Sequence, residues 1–447
     1  MKTTPMTDGA PWRHIVRFAL PVLLSSLLQQ LYNTVDAIVV GNFSGEASLS
    51  AVGTTSSFTF LFLAIAMGFS AGNGVIVAQH YGAGDPAKVR ENASTGILFL
   101  MTLGVVFAAL GMLVARAAFS HVVGVPEDYL GLTVQYFRIY AFGLVFQYGY
   151  NIFASILRAV GDSAATLYFL LIASVMNIAL DLLFVAVFRW GVAGAATATV
   201  ISQAASFVAA YLYMTRRYPI FRFGRSDYRF NLPLIQRTVA IGFPISIHLM
   251  IVSIGLTLIQ RAVNGFGQAM TASFTVGNRI EQYLNLPFNA FQTTLATYTG
   301  QNIGAGRMDR VRLGTRQTIC MSISFTLCIS GAVWLLSGSI IRLFALSDQA
   351  AVYCLAHLRT VALVNLILSL YVPLFGVFQG ANHSGFPAVV ATFSLTTRVV
   401  VTYLLKDSPF LGYRVIWWNG LFGFGMGLTV CWIYYFSGRW MRNAGVR

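Results

Sequence analysis

Of the fourteen acidic residues, Asp36, Asp181 and Glu281 fall inside long apolar runs. A carboxylate placed there is costly and is by default a candidate for function. Asp36 sits in YNTVDAIVVG (32–41), and the nearest basic residue in sequence is Arg17. Tyr32 precedes Asp36 by four residues, as Asn177 precedes Asp181, so each pair shares one helical face. Thr199 and Gln203 follow the same spacing in GVAGAATATVISQ (191–203). Carboxylates, a carboxamide and a hydroxyl are hard oxygen donors for a small cation. Two neighbouring carboxylates suit a proton equally well, because like charges in contact favour holding one between them. The chemistry indicated is reversible binding of H+ or Na+. Asp36, Asn177, Asp181 and Thr199 are the ion-coupling candidates, and the metal ligands if the ion is sodium; Tyr32 and Gln203 are their neighbours.

A second polar set is Asn278, Glu281, Asn285, Asn289 and Gln292. Its spacing of i, i+3, i+7, i+11 and i+14 draws one stripe along a helix of membrane length. Lipid satisfies no such stripe, so it is expected to face a cavity or the bundle interior. Asn278, Glu281, Asn285 and Asn289 are read as cavity residues, a weaker assignment than the first cluster.

The elements that position these residues follow from composition. The chain has 447 residues, 57% hydrophobic and 10% charged, with a mean hydropathy of +0.70. Soluble chains carry about 25% charged residues. Breaks at Gly, Pro and charge clusters leave about twelve apolar segments, near 15–41, 50–80, 92–116, 129–158, 164–187, 191–215, 238–263, 270–303, 314–338, 350–379, 386–405 and 412–436. Each crosses a hydrocarbon core of about 30 Å as a helix. The fold class is an all-α polytopic membrane protein. The run from Ile15 is too long for a signal-peptide core and reads as the first, retained membrane helix.

The net charge of +15 would suggest nucleic acid in a soluble protein. Here it reads as loop bias. With an inside N-terminus, 19 of the 29 Lys and Arg residues fall on the cytoplasmic side and 6 opposite. Both termini are therefore expected in the cytoplasm of a bacterial inner-membrane protein. That orientation puts Asp36 and Asp181 at similar depth in the outer half of the bilayer. Arg138, Arg279, Arg359 and Arg398 are intramembrane, and Arg138 is the basic residue able to neutralise Asp36.

The chain divides into an N-terminal lobe (1–215), a basic cytoplasmic linker (216–237) and a C-terminal lobe (238–447). The lobes repeat each other. QHYGAGDPAKVR (79–90) returns as QNIGAGRMDRVR (301–312), FALP (18–21) as IGFP (241–244), AVG (51–53) as TVG (275–277), and ILRAVGD (156–162) as VFQGANH (377–383). Six crossings per lobe imply two lobes related by a pseudo-two-fold axis along the membrane normal, an organisation typical of transporters. No phosphate-binding GxxxxGK[ST], no HExxH and no GxSxG is present. An enzyme is not indicated, and no cofactor beyond the coupling ion is expected.

ALPVLLSSLLQQLYNTVDAIVVGNFSGEASLSAVG, GAGDPAKVR, ILRAVGD and QNIGAG together resemble the MATE family, the multidrug and toxic compound extrusion transporters. The resemblance spans nearly the whole chain. It implies twelve helices in two lobes and cation-coupled export by alternating access. It also implies coupling roles for Asp36, for Asn177 and Asp181 in the N-x-x-x-D pattern, and for Thr199 in GAATAT. The seventh segment carries no acid, a departure from some members. The expected activity is exchange of protons or sodium for amphipathic organic cations by a monomer in the lipid bilayer. The alternative is a lipid-linked saccharide flippase with a cationic cavity, kept open by the four intramembrane arginines.

Overall fold

A computed structural model describes residues 5–442 except 343 and 345. Lys2 and Arg447, both part of the basic excess, lie outside the described residues. Within these, the chain is helical throughout, with no strand. The helices are α1 (Pro11–Gly82), α2 (Pro86–Ala117), α3 (Glu127–Ala159), α4 (Ser163–Asp181), α5 (Gly191–Arg217), α6 (Leu232–Asn264), α7 (Gln268–Gly304), α8 (Met308–Arg342), α9 (Asp348–Gly380), α10 (Gly385–Leu405) and α11 (Val415–Ser437).

At 72 residues, α1 is far too long for one crossing. It is two segments joined at Gly45, whose φ of 81° and ψ of 176° are non-helical. Counting both arms gives twelve segments, matching the twelve apolar runs. Among the described residues, nine helices meet a hydropathy standard for crossing a membrane, with α1 counted once. The helices that fall short are α3 and α7, the second of which carries the polar stripe.

The duplication is written in backbone angles. Gly45 (φ 81°, ψ 176°) recurs 222 residues later as Gly267 (φ 94°, ψ 177°). Gly84 and Gly306 in the repeated GAG loops both take φ 70°, and Gly161 (φ 92°) is matched by Asn382 (φ 66°). Left-handed φ suits glycine and, after it, asparagine, so the repeat keeps the conformation even where the residue changes. Helix starts are capped by acids in two of these loops and by serine before α9. Asp85 accepts from the Lys88 N–H, Asp162 from Ala165 and Ser347 from Ala350.

Two compact units result. The first is built on Leu20–Ser246 and the second on Met6–Ala19 with the chain from Ile247 onward. The linker 216–237 thus lies in the first unit, and it is docked there. Phe221 is fully buried. Arg90 Nη2 meets Asp227 Oδ2 at 2.7 Å, and Arg90 Nη1 donates to the Ile220 carbonyl at 2.9 Å. Tyr213 and Tyr218 both donate to Asp162 Oδ2 at 2.8 Å.

In the first unit α1 and α6 touch backbone to backbone. A Cβ on Gly72 would lie 2.7 Å from the Thr238 carbonyl oxygen, and one on Gly242 would lie 2.7 Å from that of Gly68. In the second unit a Cβ on Gly380 would lie 2.6 Å from the Ala296 carbonyl oxygen, which sets α9 equally close to α7. Small residues are how helices gain van der Waals contact where lipid offers no hydrophobic drive.

Candidate functional site

The first unit brings together the residues singled out by type and spacing. Asp36 and Tyr32 come from α1, Asn177 and Asp181 from α4, and Thr199 and Gln203 from α5. Asp181 is fully buried, and Asn177 and Thr199 nearly so. Asp36, Tyr32 and Gln203 are half-buried. The Asp36 and Asp181 carboxyl groups lie near enough for each to feel the other. The Tyr32 hydroxyl lies within reach of Thr199 and in the field of both acids.

Asp181 is the last α-helical residue of α4 before the chain continues as a π-helical turn, Leu182–Val187. Such a turn inserts a residue and re-aims the side chains beside it, which is why π segments gather at functional sites. Val39 and Val40 of α1, Val185 of the π turn, and Val192, Ala195 and Ala196 of α5 pack into one apolar cluster with Tyr136 of α3. These apolar side chains bring the three polar faces to one place.

The polar atoms there are poorly satisfied. Among the described residues, Asp36 Oδ1, both Asp181 carboxylate oxygens, both Asn177 amide atoms and Gln203 Oε1 are buried without a hydrogen-bond partner. Leaving such groups unpaired costs about 1–3 kcal/mol each, more when charged. No basic group acts on either acid within those residues. Arg138 in particular is exposed, and its Nε donates to the Met112 carbonyl at 3.3 Å. Two unneutralised carboxylates with free oxygens have the chemistry to accept one small positive ion.

Sequence reasoning missed the aromatic wall. Tyr136 and Tyr140 on α3 stack at 6.3 Å with 15° between their planes and lie in the field of these groups. Tyr140 accepts from Gln147 Nε2 at 3.1 Å. Their spacing of four was visible, but an i, i+4 tyrosine pair is common on any packed helix.

In the second unit, Glu281 of α7 meets His357 Nε2 of α9 at 3.7 Å. Asn285 lies within hydrogen-bonding reach of Glu281, and Arg398 of α10 adds an attractive field. The His357 ring lies nearly parallel to Phe274 at 5.6 Å and to Trp417 at 4.4 Å, and those two rings also meet at 6.2 Å. Arg398 Nε donates to Asn419 Oδ1 at 2.9 Å. Along the stripe, Asn278 and Asn285 are half-buried and Asn289 is exposed. The acid of this unit, unlike Asp36 and Asp181, is thus partnered. His357 and Asn419 had no signal in sequence, since neither forms a motif with Glu281.

Of the four intramembrane arginines, Arg138, Arg279 and Arg359 are exposed. Arg359 lies over the Trp334 ring at 5.2 Å. Arg398 alone among them is half-buried, and it is engaged by Asn419. Arg138 belongs to the first unit and the other three to the second, where Arg359 and Arg398 are engaged by Trp334 and Asn419, and a saccharide flippase is not favoured.

The MatE family model matches residues 21–183 and again 244–404, once in each repeat. The chain belongs to the MatE family. This MatE protein is 28% identical to the probable multidrug resistance protein YpnP of Bacillus subtilis, with 98% of each chain covered. It is 23% identical to the probable multidrug resistance protein NorM of Thermotoga maritima, covering 97% of this chain and 94% of that one. Its fold is that of a MOP-superfamily transporter from Pyrococcus furiosus, with a TM-score of 0.90, 23% identity and 98% of each chain covered. It is accordingly a multi-pass membrane protein of a multidrug efflux family, with the two-lobed all-α fold.

Proposed function

We propose that this MatE protein is a secondary active antiporter that exports amphipathic organic cations in exchange for protons or sodium by alternating access. The observation that carries this reading is the Asp36–Asp181 pair, buried beside Asn177 with oxygens free and no arginine near. A proton or sodium ion taken up there neutralises the pair and changes how α1 packs against α4 and α5. Coupling then arises because the ion binds one packing more tightly than the other. Asp36 and Asp181 are the titrating or coordinating groups. Asn177 and Thr199 supply neutral oxygens, a set that also fits sodium, and Tyr32, Gln203 and the α3 tyrosines shape the approach. The basic loop bias supports a cytoplasmic N-terminus and C-terminus, and hence ion entry from outside.

The test is ion flux in proteoliposomes holding the full chain as a monomer. Addition of a lipophilic cation such as ethidium should drive proton or sodium movement in the opposite direction. The same assay run with sodium absent, and then with a collapsed proton gradient, separates the two ions. Cation transport indifferent to both gradients would remove the antiport reading.

A further inference from the structure

A cavity of about 450 Å³ opens between α8 and the end of α11, within the second unit and apart from Glu281. On α8, Arg312, Thr315, Arg316 and Ile319 recur at i, i+3, i+4 and i+7, followed by Cys320, so one helical face forms a wall. Trp432, Tyr435 and Phe436 of α11 form the other.

The aromatic wall is built to hold its shape. Gly438 takes a left-handed φ of 66° and ends α11, and the turn Arg439–Met441 folds Trp440 back. Trp440 then stacks on Tyr435 at 5.5 Å and 16°, and its Nε1 donates to the Tyr435 carbonyl at 2.9 Å. Trp432 and Phe436 stack at 5.2 Å, with Phe436 76% exposed.

At the rim, Arg312 and Arg316 are exposed, and no carboxylate of the described residues lies within ion-pair distance of either. Arg312 donates to the Met441 thioether at 3.5 Å, a weak contact. The cavity beside α2 differs, because there Arg90 is neutralised by Asp227.

We propose that this cavity binds an anionic glycerophospholipid. Arg312 and Arg316 hold its phosphate, and an acyl chain lies along Ile319, Trp432 and Phe436. The guanidinium fork matches phosphate geometry. Tryptophan and tyrosine at a helix end mark the depth of the headgroups, where basic pockets between helices select anionic lipid. A free phosphate would leave the aromatic wall unused. A zwitterionic lipid brings its own cation and leaves the two arginines uncompensated.

The experiment titrates the purified full chain in detergent with phosphatidylglycerol or phosphatidylcholine of identical acyl chains and counts retained lipid by native mass spectrometry. Phosphatidylglycerol should be preferred roughly five-fold for each arginine engaged. Arg312→Ala with Arg316→Ala should erase the preference, and Arg312→Lys with Arg316→Lys should keep most of it. In the unmodified chain the preference should shrink as salt rises from about 0.05 M to about 0.5 M, which gives a reading free of any folding defect. Equal retention of both lipids, or a preference that survives the double alanine change or the salt, overturns the proposal. Displacement of the lipid by glycerol 3-phosphate at equal concentration overturns it in favour of a free-phosphate site.

Discussion

At the scale of single residues the two units spend their buried polarity differently. Asp181 is fully buried with both oxygens unpaired, whereas Glu281 is held by His357. An unpaired buried charge costs stability, and a site that binds an ion reversibly has to tolerate that cost between loadings. Asp181→Asn should therefore leave the melting temperature in detergent unchanged or higher. Gradient-driven cation export in inverted vesicles should fall at least ten-fold for both Asp181→Asn and Asp36→Asn. Full export by Asp36→Asn would remove it from the coupling role. For Glu281 the sign reverses. His357→Ala strips the acid of its partner and removes one ring of the cluster it forms with Phe274 and Trp417. That should cost about 3 kcal/mol, read from thermal unfolding, and a second change of Glu281→Gln should restore part of it.

At the scale of elements, close helix approach and a docked linker make definite demands. Where α1 meets α6, a side chain at Gly72 has a backbone carbonyl at 2.7 Å in its way. Gly72→Val should destabilise by about 1–3 kcal/mol or more, whereas Gly53→Ala, inside the helix with open space around it, should be neutral or stabilise by up to about 1 kcal/mol. Thermal unfolding of both in one detergent makes the comparison. In the linker, the hydrogen bond from Arg90 holds the Asp227 carboxyl below its ordinary range. A depressed value in the folded state means the contact stabilises at neutral pH, and down to the unfolded carboxylate's pKa of about 3.9. It is lost as pH falls below that. Amide protection factors across 220–228, taken relative to the intrinsic rate at each pH, should fall in the unmodified chain at about pH 3, and Asp227→Asn should show that weaker protection already at neutral pH.

At the scale of the molecule, two helices belong to both compact units. Residues 11–19 of α1 pack with the second unit and its remainder with the first, while α6 does the converse, changing membership after Ser246. Residues 6–9 are fixed within the second unit by Arg310, which donates to the carbonyls of Gly9, Met6 and Asp8 and to Asn302 Oδ1 at 3.0 Å. Arg310→Ala should strip the Gly9 carbonyl of its guanidinium partner, leave the Met6 and Asp8 carbonyls to Asn302 and His14 alone, and open residues 6–10 to limited proteolysis while the unit itself stays folded, as judged by an unchanged α8–α9 fragment. Protection equal to that of the unmodified chain would show that the arginine does not hold the segment.

Composition and hydropathy determined that this chain is an all-α membrane protein, because an apolar segment of this length pairs its backbone groups within lipid only as a helix, and the recurring motifs determined that it has two repeated halves. Type and spacing also marked Asp36, Asn177, Asp181 and Thr199, because a carboxylate in an apolar run is too costly to be incidental. Only the tertiary structure decided which polar groups meet. Arg138, a basic residue on the predicted fourth segment, turns to Met112 and leaves the acids alone. His357, ordinary in sequence, reaches Glu281. Tyr136 and Tyr140 close a site whose other members had been visible from spacing. Spacing fixes which face of a helix a residue shares with its neighbours, whereas partners on other helices are chosen by packing, and here the glycine contacts and the π turn at Asp181 set that packing.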